Sequence, residues 1–362
     1  MKVCFINSNP FWGGAEKWHV RAAKYLASQG HEITFFTRTE EIAGPARGDG
    51  VKVFKLPFVN DFDLYSLFIL FIRLLFISPD AVILNSERDL RVGGAAATLA
   101  GVKIRIHRKG ISGLKRKPRY RWIYRHFRTH TMCVAEAVKK EIEETGWLDP
   151  AGLKTIHNGV NLDEFRQEGS RNLRAELGVD EDGVLVGALA RLSSIKGLEY
   201  LIDAAPIIME KAPGVKFALV GTGRLEEELK SRASRLGLGD SLVFTGFRSD
   251  PPDALRSFDI AVLPSVHSEG FSNSVIEAMA CARPVVGTSV AGTPEAVVDG
   301  ETGLIVPPRD SDALAQAVLK LVSNTELRSA MGRAGRLRVE SNFDYIEKFK
   351  EFEKWLFEIT GK

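Results

Sequence analysis

Short runs of β-branched and aromatic residues alternate along this chain with longer stretches of helical period, the pattern of βαβ units around a parallel sheet. Runs at residues 3–6, 32–37, 51–56, 81–84, 103–107, 131–134 and 154–156 predict strands, most of them separated by helical segments. A polar turn, Asn158-Gly159-Val160-Asn161-Leu162-Asp163, and the charged residues 166–174 follow. The series then restarts, with strands expected at 184–189, 217–220, 242–244, 260–263, 285–286 and 304–306. The pattern predicts an α/β protein with two parallel sheets in tandem, in domains of residues 1–165 and 166–340, and a closing segment, 341–362. In that segment Phe343, Ile346, Phe349, Phe352, Leu356 and Ile359 fall on one helical stripe, so it must dock on something. The longest apolar stretch, residues 67–77, is interrupted by Arg73. A bilayer span takes about 20 residues, so this is a buried or membrane-surface helix.

A length of 362 residues with 44% hydrophobic positions is ample for two cores and excludes disorder. The net charge of +3 conceals a split. Residues 1–165 carry 25 Lys/Arg against 17 Asp/Glu, whereas residues 166–362 carry 24 against 29. The two halves should therefore meet different partners. Cys4, Cys133 and Cys281 are too dispersed for a disulfide framework or a metal-ligand pattern, which suggests a reducing cytoplasm. The N-terminus turns polar too soon for a signal-peptide core, so export is not expected.

In open parallel sheets, ligands bind outside the carboxyl ends of the strands, and two such sheets facing each other make a cleft. The loops at those ends carry the candidate chemistry. Gly13-Gly14-Ala15-Glu16 precedes a helix, and its paired glycines suit a tight turn or the approach of backbone amides to a phosphate. Arg191 follows a strand and Lys196-Gly197 opens the next helix, two cations able to clamp a diphosphate or to remain solvated. Gly221-Thr222-Gly223 is a short glycine loop that a turn alone would explain. The strongest signal is Glu269-Gly270-Phe271-Ser272-Asn273-Ser274-Val275-Ile276-Glu277. Ser272 or Asn273 can cap a helix there. The two carboxylates suit sugar hydroxyls such as a ribose diol, and the amides of residues 270–274 suit a phosphate.

Together with His157-Asn158-Gly159-Val160 and Gly292-Thr293-Pro294-Glu295, these motifs occur in the order seen in the retaining GT-B glycosyltransferases. Over nearly its whole length the chain resembles glycosyltransferase family 4. The resemblance implies a GT-B fold, with two Rossmann-like domains facing a cleft and the last helix crossing back to the first domain. It implies that Arg191 and Lys196 hold the diphosphate of a nucleotide sugar, UDP- or GDP-linked. Glu277 would take the ribose hydroxyls and Glu269 those of the transferred sugar. Gly270, Phe271, Ser272, Asn273 and Ser274 would line the donor, as would Gly221 and Gly223. Arg248 lies in a loop, residues 246–250, that looks like the family's nucleobase-side loop, and Gly13 and Gly14 would close on the phosphates. His107 matches a position near the transferred sugar, although Arg108 and Lys109 intervene before Gly110; a structural histidine is the alternative.

On this reading the enzyme transfers with retention and requires no metal or other cofactor. Asp61-Phe62-Asp63 has the form of a metal-binding Asp-x-Asp, but it precedes an apolar helix and reads better as a helix-start cap. Residues 90–135 contain no acidic residue and twelve cations, interleaved with Tyr120, Trp122, Tyr124 and Phe127. That composition suits an interfacial basic segment. The acceptor is accordingly expected to be anionic or membrane-borne, a glycan or glycolipid of the lipopolysaccharide-core or lipid-linked type. The enzyme is expected to be cytoplasmic, peripheral on an anionic membrane surface, with no nucleic-acid partner. The alternatives are another nucleotide-sugar enzyme of the fold, such as an epimerase, or a non-catalytic two-domain sugar-binding protein. A glycan phosphorylase would need a longer chain and a pyridoxal-phosphate lysine.

Overall fold

The computed structural model describes residues 1–114 and 117–362. The chain divides into two compact units, Met1–His157 with Glu347–Lys362, and Asn158–Ile346.

The first unit is built on a seven-stranded sheet in the order β3-β2-β1-β4-β5-β6-β7. Its strands are β1 (Lys2–Asn7), β2 (Glu32–Thr37), β3 (Val51–Lys55), β4 (Ala81–Leu84), β5 (Ile104–Lys109), β6 (His130–Cys133) and β7 (Leu153–Thr155). Every pairing is parallel. The central strands β1 and β4 are buried on both faces, which is why they read as unbroken apolar runs rather than alternating ones.

The second unit holds a six-stranded sheet in the order β10-β9-β8-β11-β12-β13. Its strands are β8 (Leu185–Leu189), β9 (Lys216–Val220), β10 (Leu242–Gly246), β11 (Ile260–Leu263), β12 (Val285–Thr288) and β13 (Gly303–Val306), again all parallel. In both units the order reverses direction beside the first strand, between β1 and β4 and between β8 and β11. Such switch points open crevices at the carboxyl ends of the strands.

The closing apolar stripe divides differently from its sequence pattern. The helix Thr325–Asn342 ends at Phe343, and a separate helix, Tyr345–Thr360, follows. Phe343 belongs to the second unit and packs on Phe271, ring centroids 5.1 Å apart. Phe349, Phe352, Trp355 and Leu356 are the buried residues of the final helix. Phe352 and Phe349 meet Trp18 edge-on at 5.3 and 5.9 Å, and Glu353 accepts hydrogen bonds from Tyr25 and His31. The period reached back to Phe343 because spacing alone does not reveal the break at Asp344, whose carboxylate accepts from the Ile346 amide.

The apolar stretch at residues 67–77 is a helix, Leu64–Ile77, that buries only Ser66, Leu70 and Leu74. No helix among the described residues is long and apolar enough to cross a membrane.

Candidate functional site

In the second unit the candidate residues converge at the carboxyl edge of the sheet. β8 and β11 are neighbours, so the loops that follow them run side by side, joined by a hydrogen bond from the Val266 amide to the Ile195 carbonyl at 2.9 Å. This brings Lys196 to Glu269 across 73 positions of sequence, with Nζ 2.6 Å from Oε2. The Ser265 hydroxyl donates to the same carboxylate oxygen at 2.9 Å, and the Thr288 hydroxyl at the end of β12 donates to the Ser265 carbonyl at 2.6 Å. Glu269 is buried at 9% exposure, so these partners stand in for water at its oxygens. Arg191, just beyond β8, is exposed and has no ion-pair partner among the described residues.

The loop after Glu269 is held from two sides. The Asn158 amide donates to the Phe271 carbonyl at 3.0 Å and to Asn273 Oδ1 at 2.9 Å. The Gly292 amide, in the Gly-Thr-Pro-Glu motif, donates to the Gly270 carbonyl at 2.9 Å. The helix Asn273–Ala280 follows, and here the capping expectation is corrected. Ser272 occupies the N-cap position but makes no side-chain cap, because its hydroxyl pairs with that of Ser274 at 3.1 Å. Asn273 is already inside the helix with its side chain turned to Asn158. The first-turn amides, at the positive end of the helix, therefore lack a side-chain acceptor. Glu277 lies one turn in and is half-buried.

Gly221 and Gly223 have a backbone reason to be glycine. Gly221 has φ of +134°, and a Cβ there or at Gly223 would overlap the carbonyl oxygens of Ala190 and Leu192. Their lack of side chains lets the loop after β9 lie against the one carrying Arg191. Arg248 is engaged elsewhere: its guanidinium donates to Glu176 at 2.5 Å and to Asp250 at 2.7 Å. Hydrogen bonds to Asp250 first and Glu176 second raise its pKa further.

In the first unit, Gly13 and Gly14 begin the helix Gly14–Ser28 without a side-chain cap. The neighbouring polar groups are buried. Glu16 Oε1 accepts from Asn9 at 2.6 Å and from Asn85 at 3.0 Å, joining the loops after β1 and β4. Asp89 accepts from the Ser8 amide at 2.8 Å. Arg108 is fully enclosed, with its guanidinium 4.6 Å above the Trp18 ring. Burial lowers its pKa to about 10 against the opposing pull of Glu16. His107 is buried on β5 with Tyr124 edge-on at 5.4 Å, and its Nδ1 has no hydrogen-bond partner among the described residues. Burial first, then Lys109, Arg128 and Arg108, keep its imidazole neutral. His19 is held neutral in the same way, by burial and then by Arg108 and His107.

The basic stretch divides between interior and surface. Arg108, Lys109 and Arg128 are buried, Arg105 bonds the Val102 and His126 carbonyls, and Arg91 is 2.7 Å from Asp61. Lys103, Lys117, Arg119, Arg121 and Arg125 are exposed, while Lys115 and Arg116 lie outside the described residues. Asp63 caps the helix Leu64–Ile77, accepting from the Ser66 amide and hydroxyl at 2.9 and 2.7 Å. No cluster of metal-ligating side chains occurs among the described residues.

Sequence reasoning missed Asn158, Ser265 and Thr288 as supports of the Glu269 loop, and Glu16, Asn85 and Arg108 as a buried polar group. Asn158 and Glu16 stood inside recognised motifs, which was the available signal. The others have no local signature.

Residues 12–164 match the family model described as Glycosyltransferase Family 4, and residues 183–324 match Glycosyl transferases group 1. The putative glycosyltransferase EpsD of Bacillus subtilis is 30% identical over 263 residues, covering 68% of this chain and 69% of EpsD. A D-inositol 3-phosphate glycosyltransferase of Segniliparus rotundus is 35% identical over 195 residues, covering 52% of this chain but only 43% of that protein. The chain thus matches less than half the length of some relatives. The crystal structure of Anabaena Alr3699/HepE in complex with UDP and glucose shares the fold, with a TM-score of 0.84, 23% identity and coverage of 98% of this chain and 99% of that one. Two parallel sheets, matched at full length by such neighbours, make the fold GT-B. The chain belongs to glycosyltransferase family 4, the glycosyl transferases group 1.

Proposed function

We propose that this protein transfers a sugar from a UDP- or GDP-linked donor to an anionic or membrane-associated glycan or glycolipid, with retention of anomeric configuration and without a metal. The observation that carries the reading is the Lys196–Glu269 pair, in which Lys196 reaches from the loop after β8 to a carboxylate on the loop leading to the uncapped N-terminus of helix Asn273–Ala280. A cation and open amides suit a diphosphate, and an adjacent carboxylate suits sugar hydroxyls. The bound UDP and glucose of Alr3699/HepE and the phosphorylated acceptor in the name of the Segniliparus relative support the donor class and an anionic acceptor.

In this mechanism Arg191, Lys196 and the helix amides neutralise the charge that grows on the departing diphosphate. Glu277 holds the ribose. Glu269 turns from Lys196 and Ser265 to the hydroxyls of the transferred sugar. The acceptor hydroxyl attacks the anomeric carbon on the face the diphosphate leaves, and its proton passes to a leaving phosphate oxygen. The enzyme works from the cytoplasmic face of a membrane.

The test is nucleoside diphosphate release from a panel of UDP- and GDP-sugars, with product configuration read by NMR. Arg191→Ala and Lys196→Ala should each lower turnover by about 10² to 10³ without loss of folding. Unchanged turnover in both variants, or an inverted product, overturns the mechanism.

A further inference from the structure

Helix Leu64–Ile77 is apolar on two sides, yet the chain covers only one. Ser66, Leu70 and Leu74 face inward. Leu64, Tyr65, Phe68, Leu75 and Phe76 recur at helical spacing on the other side and are exposed, Phe76 at 86% and, just before the helix, Phe62 at 81%. An ordinary surface helix carries polar residues on that side. Beside it lies a groove of about 520 Å³, walled by Leu64, Leu67, Val92, Ala95, Trp122 and Phe127. The groove is formed by segments that follow β3, β4 and β5, at the carboxyl edge of the sheet.

Charge distinguishes among occupants. The groove's two carboxylates are already engaged, Asp61 by Arg88 and Arg91 and Asp63 by the helix start. Arg119 also lines the groove and has no ion-pair partner among the described residues. Lys117, Arg121 and Arg125 are exposed along the helix Pro118–Phe127, around half-exposed Trp122. An apolar surface bordered by uncompensated cations and an aromatic belt matches hydrocarbon beneath anionic headgroups. A second copy docked by two-fold symmetry through this face would instead set these cations against their own images.

We infer that the exposed face of helix Leu64–Ile77 and the adjoining groove insert into the acyl-chain boundary of an anionic bilayer, with the cations of helix Pro118–Phe127 on the headgroups. This rests on the reading of the acceptor as membrane-borne and assigns its anchor chiefly to an apolar helix outside the basic stretch.

The experiment is co-sedimentation of the full chain with phosphatidylglycerol or phosphatidylcholine vesicles. Wild type should pellet with phosphatidylglycerol. The Phe62→Ser/Phe68→Ser/Phe76→Ser variant, altered only at exposed positions, should lose about a hundredfold in partitioning while nucleoside diphosphate binding is kept. Brominated acyl chains should quench fluorescence in wild type and much less in Trp122→Phe. If the triple variant pellets like wild type, or quenching is equal in Trp122→Phe, this inference falls and the membrane-borne acceptor stands. If wild type pellets with neither vesicle, the membrane-borne reading falls with it. A wild-type dimer in light scattering that the triple variant abolishes would assign the face to a second copy and overturn the proposal.

Discussion

The two sheets share parallel topology and a switch point beside their first strand, but they use their carboxyl edges in opposite ways. In the second unit the edge keeps its polar groups within reach: Arg191 is exposed, Glu277 half-buried, and the helix after Glu269 begins uncapped. In the first unit the corresponding loops enclose Glu16, His19, Asp89, His107, Arg108 and Lys109. One edge is the candidate recognition surface. The other is a closed polar core in which Glu16 and Asp89 accept hydrogen bonds while His107 Nδ1 and both His19 ring nitrogens are buried with no hydrogen-bond partner among the described residues. The same architecture thus leaves a candidate site at one edge and a closed scaffold at the other.

The largest expected effect sharpens this contrast by loosening only the scaffold. Phe352 is fully buried against Trp18. Phe352→Ala should cost the first unit about 3–5 kcal/mol, read as faster hydrogen exchange in Met1–His157 with nucleotide binding retained. Equal loss in Asn158–Ile346 would break the distinction between the units.

Acid should separate the units next. His19 and His107 have folded pKa values well below the ordinary 6.5 because burial disfavours their charged forms. Below that pH the unfolded chain binds protons the folded unit refuses, so stability falls as pH falls. Together they should cost about 3 kcal/mol between roughly pH 7.5 and 5.5. Asp89, whose pKa is raised by burial, acts in the opposite direction, its folded form taking up a proton before the unfolded one does. His267 is the one histidine of the second unit, so exchange there should change little over the same range. His19→Leu should lower the slope; an unchanged slope would show that the buried imidazoles do not set it.

The smallest effect divides labour within the recognition edge. Glu277→Gln should weaken nucleoside diphosphate binding about tenfold, and Glu269→Gln should lower turnover with that binding nearly intact. Calorimetry decides: equal losses of affinity would merge the two roles.

Most strands were legible because buried parallel strands are written as local apolar runs. β2, β4 and β11 begin and end where the pattern placed them. The motif loops were legible too, since glycine and charge mark strand ends. The partnership of Lys196 with Glu269 was not, because it depends on β8 lying beside β11. Nor was the burial of Arg108 and Lys109, where a basic run suggested solvent and only the folded Trp18 and Glu87 reveal an interior. The helix Leu64–Ile77 was visibly apolar, but periodicity cannot say which of two apolar sides the fold will cover.

The return of Glu347–Lys362 to the first unit has a consequence for biosynthesis. A ribosome makes Met1–His157 first, yet that unit lacks the helix that covers Trp18 and Tyr25 until Asn158–Ile346 has been made. The second unit is contiguous, so its chain is all available for folding while the first still lacks that helix, against the usual N-terminal-first order. During that interval the nascent chain displays an aromatic seam as well as the uncovered side of helix Leu64–Ile77. Each is a hydrophobic target for chaperones, and only the seam closes when translation delivers the helix Tyr345–Thr360.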